Sequence, residues 1–307
     1  MNLWQNYVRP KNLTEALDAL AHAPRPLAPI AGGTDLLLDL EQGRHPPVHT
    51  LIDLTSVREM TALELRGDSL YIGAAVPVNR IARDPLTVRH AQALTEACNL
   101  IAGPQVRNVA TLGGNVAHAL PAADGTIALT ALGAVAEIAG GVGERTETRR
   151  VPFTSLFLAP GKSALKNGEE LLVGFYIAIK TSEVSKTSEV SGVSSCFKRI
   201  MRPQGVALPI LNCAVWLARE GDMIEDIHIA VGPAGPVPFR STAAEEALRG
   251  QPLTETAFQS AMDALLQQAQ FRSSPRRASA DYRRHIVGGL FKDVLDTAWE
   301  RAGAGLT

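Results

Sequence analysis

The sequence predicts an α+β protein, with a larger N-terminal part of alternating strands and helices and a smaller C-terminal α+β part. Three observations carry that reading. Strand-like and helix-like runs alternate up to about residue 180; a two-run hairpin pattern followed by helical stretches fills the rest; and a polar tandem repeat of "KTSEVS", from Lys180 to Ser191, stands between the two parts. With 307 residues, 46% hydrophobic and 20% charged, the chain is long enough for two domains or three small ones. Burial on that scale offsets chain entropy without disulfides or metals.

Taken in order, "NLTEALDALAHAP" reads as a short amphipathic helix. Asn12 caps it with Glu15 three residues on, Ala16, Leu17 and Leu20 form its apolar face, and Pro24 and Pro26 end it. "PLAPIAGGTDLLLDLEQG" gives a strand, a glycine turn and a helix, and "HTLIDLTSV" and "SLYIGAAVP" give further strands. Helical spacing returns in "TVRHAQALTEACNLIAG", where Val88, Ala91, Leu94, Cys98 and Ile101 fall on one stripe. A second glycine-rich segment runs from Asn108 to Ala134, followed by the strand-like "AVAEIAG" and "LLVGFYIAI". The "KTSEVS" duplication is polar and Ser/Thr-rich, and reads as an exposed linker or loop. Beyond it, "PILNCAVWLAREGDMIEDIHIAVGPAG" is a hairpin around Glu220-Gly221-Asp222. Three helices follow: "STAAEEALRG", capped by Ser241 or Thr242 and stopped at Gly250; "TETAFQSAMDALLQQA"; and "SADYRRHIVGGLFKDVLDTAWERA", the longest.

Several function classes fall away. Thirty Lys+Arg against thirty-one Asp+Glu give a formal charge of -1 with no basic block, so no nucleic-acid or anionic-membrane surface is indicated. Cys98, Cys196 and Cys213 are odd in number, widely spaced and without zinc or cluster spacing, which fits buried thiols in a reducing compartment. No leader pattern or bilayer-length apolar run is present, and the cytoplasm is the expected location. No GxGxxG follows a strand, and "APGKS" lacks the earlier glycine of a P-loop because Leu156 stands there. In "HPPVH" the prolines forbid the helix that would bring His45 and His49 onto one face, so no metal site is expected. No catalytic nucleophile or base can be named.

What remains is a pair of diglycine segments, "APIAGGTDLL" and "TLGGN". Each Gly-Gly pair admits positive φ and close approach to the main chain, and a helix starting after Gly33 would aim its N–H groups and dipole at one point. Such a point suits an anion; the alternative is that Gly32 and Gly33 simply make a tight strand-to-helix turn. Two such loops in one α/β unit could converge on the two halves of a pyrophosphate. Asp124, in "PAADG", is either a turn residue or a carboxylate for ribose or ribityl hydroxyls.

Together "PIAGGTDLL" and "NVATLGGNVAHALPAAD" resemble the paired FAD-binding signature of the flavoprotein (medium) subunit of molybdenum hydroxylases, the group of xanthine dehydrogenase, carbon monoxide dehydrogenase and related aldehyde oxidoreductases. The resemblance continues more loosely through "CFKRIMRPQGVALPILNCAVWLA" and "SADYRRHIVGGLF". It implies an FAD-binding domain of the vanillyl-alcohol-oxidase (PCMH) type over residues 1–178, built from two α/β subdomains, a linker over 179–195, and a C-terminal flavoprotein domain over 196–307. By that match Pro29, Ile30, Ala31, Gly32, Gly33, Thr34, Asp35 and Leu36 would wrap the pyrophosphate and flavin edge. Thr111, Leu112, Gly113, Gly114 and Asn115 would form a second cradle, Asp124 would hold hydroxyls, and Ile101 and Leu172 would give apolar contacts. Lys198 matches a lysine that approaches the cofactor and could favour reduced, anionic flavin; otherwise it is an exposed strand lysine. "MRPQGVALP" departs from relatives with acidic residues after the arginine, and the cysteines of an inserted four-iron cluster are absent.

The function so implied is electron transfer. A large molybdopterin subunit would oxidise the substrate, 2Fe-2S clusters of a small subunit would carry electrons, and FAD here would deliver them to an external acceptor, in a heterotrimer or its dimer. The competing expectations are a stand-alone flavin reductase of the same fold and a cofactor-free structural subunit.

Overall fold

The first five elements make a parallel layer: β1 (Asn6–Val8), α1 (Leu13–His22), β2 (Leu27–Ile30), α2 (Leu36–Glu41) and β3 (Thr50–Asp53), with the strands ordered β1-β3-β2. Parallel neighbours require crossover connections, and the two helices supply them. α1 forms as its spacing predicts. The Asn12 side chain accepts from the Glu15 N–H at 2.9 Å, Glu15 Oε2 accepts from the Lys11 N–H at 2.8 Å, and Ala16, Leu17 and Leu20 are buried. The computed structural model describes residues 3–141, 146–179, 191–202, 208–275 and 277–303.

A second layer follows with α3 (Arg58–Thr61), β4 (Leu63–Arg66), β5 (Ser69–Gly73), α4 (Val78–Ile81), α5 (Pro85–His90), α6 (Gln92–Leu100), α7 (Pro104–Arg107), α8 (Leu112–Ala117), α9 (Asp124–Ala131), β6 (Val135–Gly140), β7 (Glu147–Pro152), β8 (Phe157–Ala159), β9 (Lys162–Ser163) and β10 (Glu170–Ala178). Its main sheet is antiparallel, ordered β4-β5-β10-β6-β7. The single helix expected from residue 87 to 101 is two. Asp84 caps α5, its side chain accepting from the Leu86 N–H, Ala91 leaves helical geometry at φ -144°, and α6 begins afresh, so Val88 is turned out to solvent while Leu94 and Cys98 are buried.

The third part holds β11 (Ser191–Ile200), β12 (Leu211–Glu220), β13 (Met223–Gly232), β14 (Phe239–Arg240), α10 (Thr242–Leu248), α11 (Glu255–Gln268) and α12 (Ala280–Gly303). The β12–β13 hairpin turns at Gly221, at φ +55°, as expected. Of the expected linker, residues 180–190 lie outside the described residues, whereas Ser191 to Ser195 are paired with β12. The sheet has two covered faces, because side chains alternate along a strand. Phe197, Ala214, Trp216, Ala218 and Ala230 join the core of the N-terminal part, while Cys196, Cys213, Val215, Leu217 and Ile229 pack under the C-terminal helices. Every residue of α9 is buried, and alanines on the facing strand let this short helix sit close to the sheet. A Cβ at Gly232 would stand 2.8 Å from Ile127 of α9. Among the described residues no helix is long and apolar enough to cross a membrane.

Candidate functional site

The first diglycine segment leaves the parallel sheet where Ile30 of β2 pairs with Asp53 of β3, at the carboxyl end of the strands. Its two glycines have different tasks. Gly33 takes φ +68°, a left-handed turn that admits Gly at little cost. Gly32 permits contact: a Cβ there would collide with the carbonyl oxygen of Val109 and lie 2.8 Å from Cα of Ala110. Val109 and Ala110 lead directly into Thr111, so the two diglycine segments meet. The bend also leaves donors free, because among the described residues the N–H groups of Gly32, Gly33, Thr34 and Asp35 make no hydrogen bond. Pro29 and Ala31 are half-buried at the strand end, and Leu36 and Leu37 pack on the small core of Ala28, Ile30, Val48 and Leu51.

The second segment is built differently. Thr111 caps α8, its hydroxyl accepting from the Gly114 N–H at 3.1 Å, and Leu112, Gly113 and Asn115 donate to Val76, Ala74 and Thr111 carbonyls. All four amides from Leu112 to Asn115 are therefore used within the protein. The expectation of bare donors on both loops holds for the first alone. What the second offers is an exposed Gly114, where an added Cβ would meet the Thr111 hydroxyl at 3.2 Å, and the Asn115 side chain, whose Oδ1 is buried without a partner. That oxygen lies 2.9 Å from where a Cβ at Gly125 would be, beside the start of α9.

Asp124 opens α9 and is 5% exposed. Its Oδ2 pairs with Arg199 Nη1 of β11, and its Oδ1 accepts from Asn212 Nδ2 of β12 at 2.8 Å. Burial pushes this carboxyl up, against the pull of the Arg199 guanidinium and the Asn212 amide, which favour its anion. Sequence reasoning missed both partners. Two further orphaned atoms sit on them, Arg199 Nε and Asn212 Oδ1.

Lys198 is not turned toward Asp124. It shares the face of Cys196 and Ile200, and its ammonium donates to Asp293 Oδ1 at 2.6 Å and Thr297 Oγ1 at 2.9 Å on α12. It also lines a hollow of about 430 Å³ along the edge of β11, with Leu100, Phe197, Arg199, Gly289 and Leu290. Ile101 follows Leu100 at the end of α6, and its carbonyl and that of Ala102, at φ +46°, accept from Arg107 Nη1 at 3.0 and 2.7 Å. Leu172 is buried in β10 as part of the main core.

Unpaired donors at Gly32–Asp35 suit phosphate oxygens, and the orphaned Asn115, Arg199 and Asn212 atoms suit hydroxyls or water. The set fits a flavin dinucleotide. Other chemistry is scarce among the described residues: no three His, Cys, Asp or Glu side chains group as a metal site, and all three cysteines are buried free thiols. Burial pushes the Cys196 thiol up to about 12, far from a reactive thiolate.

Residues 3–177 match the family of the FAD binding domain in molybdopterin dehydrogenase, and residues 195–298 match the CO dehydrogenase flavoprotein C-terminal domain. The chain is 31% identical over 302 residues to a xanthine dehydrogenase FAD-binding subunit of Escherichia coli O157:H7, covering 98% of each. It is 28% identical over 295 residues to the carbon monoxide dehydrogenase medium chain of Hydrogenophaga pseudoflava, covering 96% of this chain and 97% of that one. Among solved structures, carbon monoxide dehydrogenase from H. pseudoflava superposes with a TM-score of 0.85 at 28% identity, covering 97% of this chain and 98% of the other. Quinoline 2-oxidoreductase from Pseudomonas putida 86 gives 0.84 at 26%, with the same coverage.

Proposed function

The chain belongs to the FAD-binding medium subunits of the molybdenum hydroxylase family, and we propose that, as such an oxidoreductase subunit, it passes electrons from iron–sulfur clusters of a partner through FAD to an external acceptor. The observation that carries this reading is the junction of the two diglycine segments, with free main-chain donors on one and orphaned polar atoms beside the other. FAD, when bound, supplies a centre that exchanges one or two electrons. The residues do the rest. The Gly32–Asp35 amides hold the diphosphate, the Asn115 side chain beside Gly114 and the Asp124 carboxylate take hydroxyls, and Ile101 and Leu172 exclude water from the flavin. Lys198 lends positive charge from the hollow beside Leu100, with Asp293 and Thr297 fixing its ammonium.

The partners we infer are a large molybdopterin subunit and a small 2Fe-2S subunit, in a heterotrimer or its dimer. Relatives along the whole chain are named medium chains of dehydrogenases, and the H. pseudoflava structure is of a carbon monoxide dehydrogenase that lacks the Mo-pyranopterin moiety of its molybdenum cofactor. Isolation of the chain from its native cell under mild conditions, followed by mass spectrometry, tests this. Two companions are expected, one with molybdopterin and one with iron–sulfur clusters. A chain that is isolated alone, binds FAD and turns over an organic substrate unaided would contradict it.

A further inference from the structure

We propose that Arg199 is a positioning residue for Asp124: from the C-terminal sheet it orients the carboxylate that the N-terminal part presents to the flavin nucleotide. The inference rests on the FAD reading above. The alternation of β11 puts Lys198 and Arg199 on opposite faces of the sheet. Lys198 faces α12, whereas Arg199, paired across the sheet with Asn212, reaches α9 on the other side. Both side chains of the Arg199–Asp124 pair are almost fully buried, at 6% and 5% exposure, and Cys98 of α6 also faces the carboxylate.

A buried ion pair is weak evidence of stabilisation, since desolvating both charges consumes most of what their attraction returns. This pair is also incompletely satisfied. A carboxylate has about four lone-pair sites; Arg199 Nη1 and Asn212 Nδ2 each occupy one on Asp124, leaving two open. Around them Arg199 Nε, Asn212 Oδ1 and Asn115 Oδ1 have no partner. A group built only to lock the two parts together would close these valences. Here the guanidinium and the amide grip one side of each carboxylate oxygen and leave the remaining lone pairs aimed by their grip. The hydroxyl acceptor of the N-terminal part is thus set by two residues of the C-terminal sheet, 75 and 88 residues away in sequence.

The test measures FAD dissociation constants of the flavin-stripped full chain by quenching of flavin fluorescence, alongside thermal unfolding of the same stripped samples. Variants are Arg199→Met, Arg199→Lys, Asp124→Asn and the Arg199→Met/Asp124→Asn double. We expect Arg199→Met and Asp124→Asn each to weaken FAD by at least about tenfold, the scale of a lost charge-assisted hydrogen bond. The double variant should be no weaker than the worse single, and Arg199→Lys should recover most of the loss. Arg199→Met that lowers the unfolding temperature yet keeps wild-type FAD affinity, or binds FAD more tightly, overturns the inference; so do additive losses in the double variant. Should Arg199→Met not fold, an Arg199→Lys chain that folds and binds FAD as weakly as Asp124→Asn overturns it too. Wild-type chain that binds no FAD would instead refute the cofactor reading itself.

Discussion

A methyl group at residue 32 would strike the carbonyl oxygen of Val109, which neither backbone can yield cheaply. Gly32→Ala is therefore expected to cost about 1–3 kcal/mol, as overpacking does, and to push apart the two segments that make the cofactor seat. Urea denaturation and FAD titration of one variant read both effects. Asp53 sets a second residue-scale expectation. Burial alone would raise its pKa, but the Thr55 hydroxyl and amide, the Tyr7 hydroxyl at 2.9 Å and Arg9 at 3.0 Å outweigh it and hold the carboxyl below its usual range. Since the folded pKa is the lower one, this contribution is complete above the ordinary carboxylate value of about 4 and is lost as pH falls through the lowered one. The stability gap between wild type and Asp53→Asn should be open at pH 6 and narrow toward pH 3. Equal gaps at both would contradict it.

At the scale of elements, Asn12→Ala removes the cap of α1, where the Asn12 side chain accepts from the Glu15 N–H, and is expected to cost about 1 kcal/mol in denaturant unfolding. That helix was legible because its cap, apolar face and proline stop agree, and the β12–β13 hairpin and α12 were legible for similar reasons. α9 was not. Its residues, "DGTIALTA", are small and buried all round, so no apolar period distinguishes a face, and the segment reads as a glycine-rich loop. The diglycine motifs could be read as a pair, but not their division of labour: whether an amide is free depends on Val76 and Ala74, more than thirty residues upstream. Arg199 and Asn212 were invisible for a related reason. β11 is covered on both faces, so its sequence shows no polarity from which to assign Lys198 to one side and Arg199 to the other.

Across the whole molecule, the N-terminal part and the C-terminal sheet are joined by more than the shared core. Glu96 of α6 accepts from the Phe197 N–H on the edge of β11 at 2.7 Å and from Arg301 of α12 at 2.6 Å, and Arg301 in turn donates to the Ser195 carbonyl. Glu96→Ala strands these donors, and a loss of about 2 kcal/mol is expected in denaturant unfolding. A loss within a few tenths would mean that the apolar junction alone holds the parts together. The family resemblance anticipated this two-part plan, while the contacts between the parts had to come from the folded chain.

In the folded chain the first diglycine bend has free main-chain donors and the second does not. Amide hydrogen exchange with and without saturating FAD tests it most directly. FAD is expected to slow exchange at Gly32 to Asp35, whose amides are otherwise free, and to change Leu112 to Asn115 much less, because their bonds exist already. Stoichiometric FAD binding with no protection at Gly32 to Asp35 would contradict it.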